Sequence, residues 1–245
     1  HEVNGQSYMK IDNDYTGFNS KFNLTPLRIM QISLGHEYFH AIQWGYEHNK
    51  SNNDYFYEMT SMWFEDVLIP DGNDYLDGWV DSFLEFPESP FNNPPDGYGY
   101  CWALFGHYLS SFIDPNGMEN VHNSTIIREM WENFNNPNSS SNNAWYYVGN
   151  VLNNNYGVSF IDAWTDFVSR NLFNGIDESY YYYPDQALIE PIYTIEGSFG
   201  APLDQSQEWS ENIFMELDNK SVKIVSFIAE ASYNYINFIH QFEPK

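Results

Sequence analysis

The sequence predicts an α+β fold that is mostly α, with a β-rich C-terminal portion. Three observations predict it. A long helical segment from Pro26 to about Glu47 carries His36-Glu37-Tyr38-Phe39-His40. Further segments with helical apolar spacing fill the chain to about residue 175. After Gly175 the texture changes to clustered tyrosines and β-branched runs. These shifts divide the chain into a domain at 1–178 and a β-rich portion at 179–245.

Gln6 to Asp12 partly alternates polar and apolar residues, which predicts a strand. Asp12-Asn13-Asp14-Tyr15-Thr16-Gly17 turns the chain. It has the opening of a calcium loop but lacks the later bidentate Glu, so an Asx-rich turn is expected, with Ca2+ as the alternative. Thr25 and Pro26 then start the central helix, Thr25 as N-cap and Pro26 at the first helical position. Leu27, Ile29, Met30, Ile32, Leu34, Phe39, Ile42 and Trp44 fall on nearly every side of it, which predicts a helix buried all round. Histidines and a glutamate on such an element are costly unless paired or bound to metal.

Asn49-Lys50-Ser51-Asn52-Asn53 is a polar loop, and a second helix is expected from Asp54 to about Leu68. Pro70-Asp71-Gly72-Asn73-Asp74 stops it. A short amphipathic stretch, Tyr75 to Leu84, leads to a Pro- and Asn-rich loop from Pro87 to Gly97, long enough to serve as a lid or cleft wall. Helices are expected at Tyr98–Ile113, Ser124–Phe134, Asn142–Asn154 and from Ser159 to about Phe173. Tyr180 to Tyr183 read as an aromatic seam between packed parts. Strands are expected at Ile192–Ile195, Ile213–Leu217 and Val222–Phe227. The last residues look like part of a module cut short at Lys245, and the start at His1 rather than Met points to a processed chain.

With 245 residues, 42% hydrophobic and 19% aromatic, the chain can bury a sizeable core. The 34 acidic against 9 basic residues leave a net charge of −25, which repels nucleic acid and anionic lipid. No apolar run approaches the roughly 20 residues of a membrane span, so no membrane insertion is expected. Cys101 is the single cysteine, in the apolar run Tyr100–Phe105, and is expected to be buried and inert.

Residues four apart on a helix lie about 40° apart and one turn along, so His36 and His40 can point two imidazoles at one metal ion. Glu37 sits about 100° round from His36, beside the metal, where it can reach a metal-bound water. That is the pattern of a zinc hydrolase. A catalytic zinc takes three protein ligands. The second helix offers Glu58 and Glu65, seven apart and so on nearly one face. His48 is the nearest later histidine, two turns on from His40 and rotated about 80°.

The segments His36-Glu37-Tyr38-Phe39-His40-Ala41-Ile42-Gln43-Trp44-Gly45-Tyr46 and Tyr57-Glu58-Met59-Thr60-Ser61-Met62-Trp63-Phe64-Glu65-Asp66 resemble those of gluzincin-type H-E-x-x-H metallopeptidases, in particular a family of secreted bacterial enzymes. The resemblance covers residues 8–70 most specifically and weakens to about 175. It implies a zincin-like domain that binds Zn2+ through His36, His40 and Glu58. It also implies a protein or peptide substrate, with Glu37 as general base and an extracellular location. Two positions depart from the pattern. Met59 replaces the glycine after the ligand, and Met62 stands where related enzymes carry an aspartate that orients a zinc histidine. The outer partner of the histidines must therefore come from elsewhere, with Asp12, Asp14, Glu65 and Asp66 as candidates. Tyr98, Tyr100 and His107 are candidate oxyanion donors, because their helix follows the long loop. The competing reading is a non-catalytic module, either a metal-stabilised surface or adhesion domain or a carbohydrate-binding one that uses exposed aromatics.

Overall fold

Thr25 starts the longest helix, α1 (Pro26–Tyr46), where the sequence places it, and its hydroxyl accepts a hydrogen bond from Arg28 N at 3.2 Å. This N-cap and a proline whose missing N–H would have gone unpaired anyway define the first turn. The computed structural model describes residues 2–3, 6–7, 9–12, 14–15, 21–46, 52–85, 89–134, 141, 143–171, 185, 188–189, 216–217 and 222–223. Within α1 the buried residues are Ile29, Ile32, Gly35, Phe39 and Gln43, a single stripe at helical spacing. Leu27 and Tyr38 are 60% and 57% exposed. The expectation of a helix buried all round is thus corrected.

The helix that is enclosed on nearly all sides is α2 (Asp54–Leu68), where Tyr55, Phe56, Tyr57, Met59, Met62, Trp63 and Val67 are all buried. It runs antiparallel to α1. His36 meets Glu65, His40 meets Ser61 and Gln43 meets Tyr57, so the chain number rises along one helix as it falls along the other. α1 and α4 (Ala103–Tyr108) both pack on α2. The α2–α4 approach is close because Gly106 lies over Trp63, where an added Cβ would come within 2.8 Å of the Trp63 Cβ. Trp63 Nε1 donates to Ser110 Oγ at 2.9 Å on the same side.

Aromatic residues fill the space between the helices. Trp131 on α5 (Ile126–Phe134) sits 4.7 Å from the rings of both Phe56 and Tyr57. Phe83 of α3 (Trp79–Glu85) packs on Trp102 and stacks on Phe167 of α7 (Phe160–Asn171), while Trp164 of α7 packs on Phe105. α6 (Ala144–Val151) packs on α5. The described part is mostly helical.

Local chemistry sets the ends. The stretch after Asp74 breaks into a 3-10 turn (Asp74–Leu76) and α3, separated by Gly78 at φ +96°. The helix expected from Tyr98 begins at Tyr100 with a 3-10 turn, continues as α4 and ends as a π-turn at Leu109–Ile113. The Asp114 carboxylate then accepts from Asn116 N, Ser124 Oγ and Thr125 N, fixing the turn before α5. The Pro-rich loop is not an open lid in its described part, because Phe91 is fully buried and its carbonyl accepts from Trp102 Nε1 at 3.0 Å.

The expected strand at 6–12 shortens to Gln6–Ser7 (β2), paired antiparallel with Glu2–Val3 (β1); Met9–Asp12 is not regular. Glu216–Leu217 (β3) pairs antiparallel with Val222–Lys223 (β4). Apart from residues 185 and 188–189, the rest of the expected β-rich portion, including Ile192–Ile195 and Tyr180–Tyr183, lies outside the described residues. Cys101 is buried as expected, and burial pushes its thiol well above the ordinary range.

Candidate metal centre

The one-turn spacing on α1 brings His36 Nε2 and His40 Nε2 to 3.1 Å from each other. The antiparallel α2 carries Glu58 to the same point, its Oε2 3.1 Å from each of those nitrogens. Among the described residues these three form the one group of histidine, cysteine or carboxylate side chains whose donor atoms converge as a metal site requires. Their side chains are 13% (His36), 14% (His40) and 14% (Glu58) exposed, so the point of convergence is sheltered but reachable.

The far side of each imidazole is occupied. His36 Nδ1 lies 2.8 Å from Glu65 Oε2, and His40 Nδ1 lies 2.7 Å from Gln43 Oε1. Gln43 is itself held, since its Nε2 donates to Tyr57 O, Thr60 Oγ1 and Ser61 Oγ. Reversing that amide would set its oxygen against the Tyr57 carbonyl, so Oε1 faces His40 and accepts from Nδ1. His40 therefore uses Nδ1 as its outer donor, and both imidazoles turn Nε2 inward.

The electrostatics point the same way. Burial would lower the His36 pKa, but Glu58 and Glu65 more than reverse this and raise it to about 10. Burial would raise Glu58, but His36 and His40 bring it down to about 2. Glu65 is almost fully buried, and burial together with the Asp74 charge pushes its carboxyl up to about 8, against the pull of His36. Glu58 and Glu65 thus favour cationic charge at His36. His36, His40 and Glu58 can hold a metal ion, and Glu65, Gln43 and Ser61 orient the two histidines.

The remaining candidates separate. Glu65 stands on the outer nitrogen of His36, outside the converging group, because α2 places it two turns from Glu58. Glu37 is half-buried, and its charge is felt at the Tyr100 phenol. Tyr100 lies beside the centre, its ring centroid 6.0 Å from that of His36, and burial, with Glu58 and Asp96 beside it, holds its hydroxyl protonated. Tyr98 is 58% exposed and stacks on Tyr100 at 5.6 Å, one ring further out. His107 is a correction. It is 1% exposed, with Nε2 3.1 Å from Asp66 Oδ2 and its ring against Tyr75, so it cannot reach a substrate. That pairing also removes Asp66 as an outer partner of His36 and His40. Asp12 and Asp14 are exposed and form an Asx turn, Asp14 N donating to Asp12 Oδ1 at 3.3 Å. His48 lies outside the described residues.

Sequence reading missed three residues. Gln43 and Ser61 reveal themselves only when α1 and α2 are paired, although Gln43 lies three residues past His40 on the face that meets α2. Asp96 accepts from Tyr98 N, Gly99 N and Cys101 N at 2.9, 2.7 and 2.8 Å, and so shapes the turn that presents Tyr98 and Tyr100. An Asp three residues before a Gly-Tyr is a local signal for such a turn. No family model, no curated protein and no solved structure matches the chain. Among the described residues no helix is long and apolar enough to cross a membrane.

Proposed function

We propose that this chain is a zinc-dependent metallopeptidase, a secreted zincin-like enzyme that hydrolyses peptide bonds. The observation that carries the reading is the convergence of His36 Nε2, His40 Nε2 and Glu58 Oε2, each 3.1 Å from the others, with Glu37 next in sequence to one ligand. The donor set suits zinc. Two imidazole nitrogens and one carboxylate oxygen are the ligands of gluzincin-type sites, and tetrahedral zinc ligands at about 2.0–2.1 Å stand about 3.3–3.4 Å from one another. Donors at 3.1 Å need to spread by only a few tenths of an ångström.

Zinc held there supplies Lewis acidity and makes a water acidic near neutral pH. The residues of the chain do the rest. A Glu37 carboxylate oxygen takes one proton from the attacking water as its oxygen bonds to the peptide carbonyl carbon. The Tyr100 hydroxyl, kept protonated by its surroundings, donates a hydrogen bond to the oxyanion. Glu37 then passes its proton to the leaving nitrogen as the C–N bond breaks, giving a carboxylic acid and an amine. Glu65 and Gln43 keep both imidazoles in the tautomer that leaves Nε2 free for the metal.

One observation favours a second reading, a binding module without catalysis. Trp79 and Tyr98 flank Tyr100 as a cluster of partly exposed rings of the kind that packs on a ligand. Metal content and cleavage of unfolded protein or peptide, compared between the native chain and Glu37→Gln, separate the two. The peptidase reading expects equal zinc and a fall in cleavage of about 10²–10⁴-fold. Zinc at full stoichiometry with no cleavage by the native chain overturns it in favour of the binding module.

A further inference from the structure

Two of the exposed large apolar side chains, Trp79 and Tyr98, touch the same ring, and that ring touches a metal-facing histidine. Trp79 lies 4.7 Å from Tyr100, Tyr98 lies 5.6 Å from Tyr100, and Tyr100 lies 6.0 Å from His36. Trp79 is 38% and Tyr98 is 58% exposed, although the rings of Tyr75, Phe83, Phe91, Trp102 and Phe105 are fully buried. We propose that Trp79, Tyr100 and Tyr98 form a side-chain subsite that selects an aromatic residue next to the bond that is cut, so that the substrates are aromatic-containing, non-acidic peptides. This rests on the peptidase reading.

The subsite is rigid before any ligand arrives. Asp96 ties the backbone of Tyr98, Gly99 and Cys101 through three hydrogen bonds. Gly99 has φ +105°, and a Cβ there would fall 2.4 Å from the Tyr55 carbonyl oxygen, so the turn is pressed onto α2 in a form that only glycine takes. Trp79 starts α3, which is anchored by buried Val80 and Phe83. Rings held in advance bind with little loss of freedom.

The shape favours one side chain over a row of sugars. Tyr98 and Tyr100 are stacked at 29°, but Trp79 is tilted 55° from Tyr100, so the rings make a corner rather than a flat strip. An aromatic side chain can stack on one wall of a corner and meet the other edge-on, both favourable arrangements. The chain's charge of −25, with Glu37 and Asp96 near Tyr100, disfavours an acidic neighbour in the substrate.

The test uses two otherwise identical neutral peptides, one with a single Phe and one with Ala in its place, with cut sites mapped by mass spectrometry. The native zinc-loaded chain is expected to cut beside the Phe, with kcat/KM about tenfold above the Ala peptide, the value of one or two aromatic contacts. Tyr98→Ala and Trp79→Ala, with zinc content and unfolding midpoint checked, are expected to bring that ratio toward one, while Tyr98→Phe keeps it. A ratio near one in the native chain, cuts away from the Phe, or a ratio kept in both alanine variants overturns the subsite. Calorimetric binding of the same peptides to Glu37→Gln reads the subsite without chemistry. About tenfold tighter binding of the Phe peptide with no cleavage by the native chain removes the peptidase reading and keeps the subsite. Cleavage without preference does the reverse. Binding of a glucose or N-acetylglucosamine oligosaccharide there, with no preference between the peptides, overturns the subsite in favour of sugar.

Discussion

Two histidine–carboxylate assemblies flank α2, and only one of them is built like a reactive centre. On the α1 side, His36 and His40 each have Nδ1 held by an outer partner, Glu65 or Gln43, and both Nε2 atoms meet Glu58 at 3.1 Å. On the α4 side, His107 stands alone, 3.1 Å from Asp66 and 1% exposed. Tyr75, whose ring lies against His107, donates to Asp185 Oδ2 at 2.8 Å. Residue types are the same in both places. What differs is convergence: three donor atoms meeting at a partly exposed point in one, a single sealed pair in the other. A histidine beside a carboxylate is therefore weak evidence for chemistry until a third donor shares its free nitrogen.

The largest expected effect breaks the first assembly. Glu58→Ala removes a donor from the converging set, so stoichiometric zinc should be lost on dialysis, while the native chain keeps it. Added zinc should raise the unfolding midpoint of the native chain but not of the variant, because a ligand that binds only the folded state stabilises it, by about 2.7 kcal/mol at a hundredfold excess over Kd. Zinc retained by Glu58→Ala at native affinity would falsify the ligand assignment. His107→Ala should do the opposite. It removes a fully buried side chain packed against Asp66 and Tyr75 and should lower stability in urea by about 1–3 kcal/mol, with zinc content unchanged.

Glu65→Gln sharpens the difference between a ligand and an outer partner. Zinc affinity, measured by competition with a chelator, should fall about 10–100-fold, well short of the loss in Glu58→Ala. An equal loss in both variants would mean that Glu65 takes part directly.

The smallest effect concerns the acidic cluster between the two assemblies. Burial and the adjacent Asp66 charge raise Asp74 from its ordinary 3.8 to about 6. The folded state therefore holds this proton more tightly than the unfolded one, and that contribution to stability is lost as pH rises from about 4 to about 6. Asp74→Asn lacks the ionisation, so its stability relative to the native chain should rise across that window, by about 1–2 kcal/mol after allowance for the partial exposure of the group. Parallel pH profiles for the two proteins would show that Asp74 ionises freely.

Much of the helical plan is legible locally. Thr25-Pro26 opens α1, Asp54 to Leu68 bounds α2, and Ser159 starts α7, its hydroxyl accepting from Asp162 N at 3.1 Å. Burial was misjudged because apolar residues around α1 report composition, whereas burial depends on neighbours. α2 is enclosed by several helices, while α1 leaves Leu27 and Tyr38 in solvent. His107 was misassigned for a related reason. Position after a long loop gives no sense of which way a side chain turns, and Gly106 draws its helix tightly against α2.

The sequence by itself determined that His36 and His40 share a face, since a helical turn is a property of four consecutive residues and needs nothing beyond it. It also left three candidates to complete the site, Glu58 and Glu65 on one face of the next helix and His48 beyond α1. Tertiary structure alone told the two glutamates apart. Antiparallel pairing sets Glu58 against the inner nitrogens and Glu65, two turns away, against the outer nitrogen of His36. The same pairing recruits Gln43 and Ser61, and the Asp96 turn brings Tyr100 beside His36. Helical periodicity is written in the chain at short range. The angle and register at which two helices meet depend on all the side chains between them, and no single stretch carries that information.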